Sequence, residues 1–123
     1  MPPRNSSIPG DPAEWLRRAR SDLAIASIPL PPDGVYEDLC FHAQQAAEKA
    51  IKAIYQHYQW RFDYTHDIKE LLAGLHRKGL AIPPEINEAA TLTIFAHQLR
   101  YPSVAEPVSE QECAAAVALA RQV

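Results

Sequence analysis

His42, Gln45, Lys49, Lys52 and Gln56 follow one another at spacings of three, four, three and four residues within FHAQQAAEKAIKAIYQHY, residues 41–58. On a helix turning by about 100° per residue this spacing stacks them in one stripe about 80° wide, bordered by Phe41 and Glu48. The residue types suit phosphate: the ammonium groups carry charge, while imidazole and carboxamide groups donate or accept hydrogen bonds. Every half-buried helix also turns a polar seam to water, and the spacing alone favours that plainer reading of a solvated face.

The other chemistry-bearing residues form no familiar site. The five histidines, His42, His57, His66, His76 and His97, include no His-Glu-x-x-His pair, so no metal is expected. Cys40 and Cys113 lack the close spacing of a metal or redox pair and are expected as small buried thiols. The four glycines are scattered at 10, 34, 74 and 79, which excludes a phosphate-cradling glycine loop, and no cofactor is expected. A net charge of -3 with a pI near 5.9 argues against a generic nucleic-acid coating protein, because nonspecific affinity comes from many cations on phosphates. It leaves a localised basic site open.

The elements that must position these residues follow from punctuation and periodicity. A chain of 123 residues, 47% hydrophobic and 22% charged, has the size and composition of one folded domain. Residues 1–10, rich in Pro, Ser and Gly, are expected as a flexible N-terminal arm, with the domain spanning 11–123. Asp11, Pro12 and Glu14 mark a helix start, and Trp15, Leu16, Ala19, Leu23 and Ala26 make one apolar stripe ending near Ser27. The stretch PLPPDG stops that helix. A second helix is predicted from Tyr36 to Tyr58, about 34 Å long, with Leu39, Ala43, Ala46, Ala47, Ala50, Ile51, Ala53, Ile54 and Tyr58 as its core face. Its alanines leave little bulk between helices, and a homodimer is the default assembly.

Thr65 is the expected N-cap of a third helix, HDIKELLAGLHRK, which Gly79 stops. A fourth is predicted over PEINEAATLTIFAHQL. Pro102 ends it at RYP, and Ser109 with Glu112 forms a capping box for a fifth, EQECAAAVALARQV. Amphipathic segments, short Pro-containing connections and no alternating strand pattern predict an all-α antiparallel up-and-down bundle of four or five helices. No apolar run approaches the roughly 20 residues of a membrane span and the first residues lack a signal-peptide centre, so a cytoplasmic protein is expected.

CFHAQQAAEKAIKAIY, then THDIKELL, then RYP resembles the small bacterial and archaeal HEPN-domain proteins, over roughly residues 12–123. The resemblance implies a bundle that commonly dimerises. It also implies a small nucleotidyltransferase as partner in a toxin-antitoxin-like pair, and a nucleotide or RNA as ligand. Many members are metal-independent ribonucleases that carry, late in the bundle, an Arg, a polar residue and a His four to six residues beyond the Arg. Here Arg100 takes the late position, but YPSVAEPVS follows it and no histidine occurs after His97. Without a base to assist the 2′-hydroxyl, Arg100 offers only phosphate binding and charge stabilisation. Arg61 and His66 match the spacing literally, but in the loop between the second and third helices, where about one chance match is expected in a chain this long.

If RYP packs back on the second helix, Arg100, Lys49 and Lys52 form a positive pocket. His42 and Gln45 then supply hydrogen bonds and Tyr101 supplies a ring for a base. The plainer alternative pairs Arg100 with Glu48 and leaves Tyr101 filling the bundle edge. Three functions compete: a dimeric binding module for the nucleotidyltransferase, a ribonuclease with a nonstandard set drawn from Arg100, His97 and His42, and a purely structural subunit. The first is favoured, because the motifs match while the catalytic histidine does not.

Overall fold

A computed structural model describes residues 11–62, 65, 67–93 and 109–123. It is an all-α helical bundle, and no strand occurs among the described residues. Helix α1 spans Pro12–Ala26, α2 Tyr36–His57, α3 Ile68–Arg77 and α4 Pro84–Asn87; α4 runs into a 3₁₀ helix at Glu88–Thr93, and α5 spans Glu110–Gln122. The expected N-terminal arm lies outside the described residues.

The helix boundaries follow from local chemistry. Asp11 accepts from the Ala13 amide, and Pro12 occupies the first turn of α1. Ser109 and Glu112 form the full capping box at α5, each side chain accepting from the other residue's backbone amide. At α3 the cap is Asp67, which accepts from the Lys69 amide, and not Thr65; the Thr65 hydroxyl accepts instead from the Asp67 amide and shapes the approach. Gly79 ends the α3 turn at φ 89°, a left-handed conformation that its missing Cβ makes easy.

The predicted fourth helix is α-helical for only one turn. The hydroxyl of Thr91 donates to the Glu88 carbonyl, and that of Thr93 accepts from the Ile68 amide, so the two threonines turn a tightened segment onto the start of α3. Its remaining expected part, 94–99, lies outside the described residues.

Helix α2 is the spine, with α1 along one side and α3, the 3₁₀ segment and α5 on the others. Leu39, Cys40, Ala43, Ala47, Ile51, Ile68, Leu71, Leu75, Leu92 and Ala116 make the centre of the core. Full burial of an Ile or Leu there contributes about 1.5–3 kcal/mol. The core face read from periodicity is correct for the first half of α2. Beyond that face Gln44, Glu48, Lys52 and Tyr55 are buried as well, while Ala50 and Ile54 are half-buried and Tyr58 is 46% exposed. Because helices pack on several sides of α2, its buried arc covers about 260° at 100° per residue, and the buried side rotates along its length. The α1 stripe shifts in the same way: Leu16 is exposed, whereas Glu14 and Asp22 are buried.

Candidate functional site on the α1–α2 seam

The polar stripe of α2 faces another helix and not open solvent. Helix α1 lies against it and brings Asp22 to its centre. Asp22 Oδ1 is 2.9 Å from His42 Nδ1, and Oδ2 accepts from Lys49 Nζ at 2.5 Å. Asp22 is only 7% exposed. A carboxylate so far out of water is tolerated where charged hydrogen-bond donors replace the solvent. The side chains of His42 and Lys49 remain 33% and 24% exposed, so both reach from the buried carboxylate toward water.

That geometry fixes chemistry. A carboxylate only accepts, so the proton facing it belongs on His42 Nδ1, and in the neutral ring Nε2 then carries the lone pair. Lys49 uses one of its three donors on Asp22. When the imidazole is protonated, two cations share one anion and the group carries a surplus positive charge.

One turn further on, the stripe closes inward. Lys52, expected as a phosphate ligand, is 6% exposed and donates to Glu48 Oε2 at 2.8 Å. Its ammonium also lies 5.8 Å from the Trp15 ring centroid and 5.4 Å from that of Phe62. Ion pairing and two aromatic faces hold it within the bundle, so it is not presented to a ligand. Gln44, fully buried, donates to Glu48 Oε1, and Gln45 donates to the Gln44 carboxamide oxygen. Gln45 therefore reaches the seam through Gln44. His66, His97, Arg100 and Tyr101 lie outside the described residues, and so does the expected closure of RYP on α2.

Asp22 and Gln44 were not among the sequence candidates, though Asp22 carried a signal. It follows Ala19 by three residues and precedes Ala26 by four, which puts a carboxylate on the apolar stripe of α1. Gln44 carried none, since its burial depends on which helices surround α2.

Cys40 and Cys113 are buried free thiols brought together across α2 and α5. Burial first, and then the hydrogen bond with Cys113, push the Cys40 thiol well above its ordinary range, which keeps it protonated and unreactive. Among the described residues no cluster of His, Cys, Asp or Glu could hold a metal ion, and no helix is long and apolar enough to cross a membrane.

Comparison with known proteins places the chain in a family. The HEPN domain matches residues 12–123, and the chain belongs to that family. Among solved structures it is similar to TT1696 from Thermus thermophilus, with 31% sequence identity and a TM-score of 0.74 over 90% of this chain and 91% of that one. No curated protein matches.

Proposed function

We propose that this HEPN-family chain is a dimeric binding module for a small nucleotidyltransferase, in a pair of the toxin-antitoxin kind, and that the α1–α2 seam binds a phosphate of a nucleotide or RNA. The observation that carries the phosphate site is the sharing of one buried carboxylate by two partly exposed donors, His42 and Lys49. Asp22 orients both, and the pair turns an imidazole and an ammonium outward from positions about two turns apart on α2. Lys49 supplies charge and His42 directional hydrogen bonding.

Nucleotide and RNA titrations against the wild type and His42→Ala with Lys49→Ala test the site. Loss of binding in the double variant is expected; equal affinity in both would remove the seam as a ligand site. The partner is tested by co-expression with a nucleotidyltransferase encoded beside this chain, where a complex eluting at the mass of a heteromer is expected and separate elution would count against it.

The Asp22–His42 contact also favours a second reading, a ribonuclease with a nonstandard set. An imidazole held by a carboxylate through Nδ1 has Nε2 directed away as a general base for a 2′-hydroxyl. Metal-free cleavage of structured RNA that is lost in His42→Ala and Arg100→Ala would establish it. No cleavage by the wild type would end it.

A further inference from the structure

At the far end of α2 a cavity of about 280 Å³ opens at its junction with α3. Its wall contains Arg61 and Phe62 from the connecting loop, Thr65, Tyr55 from α2, and Glu70 and Arg77 from α3. It shares no residue with the His42–Asp22–Lys49 group. We propose that this cavity is a second anion site, one that takes a small phosphate monoester of mononucleotide size.

The first argument is the state of the two guanidinium groups. Among the described residues neither Arg61 nor Arg77 has an ion-pair or hydrogen-bond partner, whereas Arg17, Arg18, Lys49 and Lys52 all end on carboxylates. Two forked donors lining one cavity suit the several oxygens of a phosphate monoester better than a single carboxylate. The hydroxyl of Thr65 accepts from the Asp67 amide and keeps its own proton to donate.

The second argument is how the wall is built. Tyr55 donates its phenolic proton to the Leu71 carbonyl, and a Cβ on Gly74 would lie 2.2 Å from that phenolic oxygen and 3.6 Å from Arg77 Nη2. The absent side chain at Gly74 therefore makes room for the tyrosine, and the Arg77 guanidinium lies at ordinary contact distance over the same turn. Phe62 meets Tyr55 edge to face at 5.5 Å between centroids, giving the cavity an apolar aromatic side. Glu70 adds one carboxylate, an acceptor for a sugar hydroxyl or a base amino group, and against two guanidinium groups the lining stays net positive. Phosphate donors, an aromatic wall and one acceptor together match a mononucleotide better than a bare anion.

Titration calorimetry with adenosine 5′-monophosphate and with adenosine tests this. The monophosphate is expected to bind at least about tenfold more tightly than the nucleoside. Arg61→Gln and Arg77→Gln should each weaken it by about tenfold, with Arg77→Lys recovering part. Amide shifts at Ala73 and Gly74 on addition of the monophosphate would report binding at this wall, and a melting curve would show that the variants are folded. The proposal is overturned if monophosphate and nucleoside bind equally, or if Arg61→Gln with Arg77→Gln keeps the wild-type affinity. It is also overturned if His42→Ala with Lys49→Ala abolishes all binding, a result that would leave the ligand to the seam.

Discussion

Along the α1–α2 seam Lys49 and Lys52 each end on a carboxylate, whereas at the α2–α3 junction Arg61 and Arg77 line a cavity with no ion-pair partner among the described residues. The same net-acidic chain thus holds its cations in two ways. Where a cation is shut away from water, its partner must come from the protein, because an uncompensated buried charge costs several kcal/mol. A cation at a cavity mouth is solvated and can exchange that water for a ligand's oxygens. Within the seam itself the gradient is visible: Lys52 is closed in, while Lys49 and His42 keep one side toward solvent.

The sharpest way to break this contrast is Glu48→Ala. It strands the Lys52 ammonium between Trp15 and Phe62 and is expected to cost about 3–5 kcal/mol in urea unfolding. Glu48→Leu combined with Lys52→Met, which removes both charges, should restore most of that loss. A single variant as stable as the wild type would show that the pair is not enclosed.

Asp22→Asn should cost less, about 1–3 kcal/mol, since His42 and Lys49 can turn to water. The same variant should change the tautomer balance of His42 read from its ring nitrogen shifts. Arg77→Gln, at the other site, should leave stability within about 0.5 kcal/mol, as befits a cation with no ion-pair partner among the described residues. A larger loss would mean that its guanidinium is structural.

The smallest effect belongs to Glu14, which accepts from both Arg17 and Arg18 near the start of α1. The Arg17 hydrogen bond is the main cause that holds its carboxyl below the usual value of 4.5; desolvation opposes it, and Arg18 assists. A carboxyl whose folded pKa is depressed contributes stability above the ordinary value and loses it as pH falls through the folded one. Glu14→Gln should therefore slightly lower stability at neutral pH, where the charged carboxylate contributes, and flatten the decline below pH 4.5. An unchanged acid limb would show that the Arg17 contact is absent in solution.

How far these regions were legible from sequence differs residue by residue. Asp11 and Ser109 announced their helices because a cap is a local event, complete within four residues. The stripe from His42 to Gln56 was equally plain as a spacing, and three of its members, His42, Lys49 and Lys52, meet residues of α1. Its exposure was misjudged at Lys52, because a helical wheel gives direction around one axis and nothing about what lies in that direction. The junction cavity was less legible still. Arg61 appeared only through a spacing to His66, and Arg77 only within the stretch HDIKELLAGLHRK; nothing local connected them.

The amino-acid order by itself determined the helical class, the start of α1 and of α5, the stop of α3 at Gly79, the apolar face of the first half of α2 and the HEPN resemblance. The helix boundaries and the apolar face rest on contacts or periodicities within a few turns of one helix, and the resemblance on short motifs in a fixed order. Only the tertiary structure decided that Asp22 meets His42 and Lys49, that Lys52 is enclosed by Glu48, Trp15 and Phe62, and that Arg61 and Arg77 share a cavity. Each of these depends on how one element is rotated against another. Rotation is settled by filling the space between helices, and a shift of about 100° moves a neighbouring residue from solvent to core.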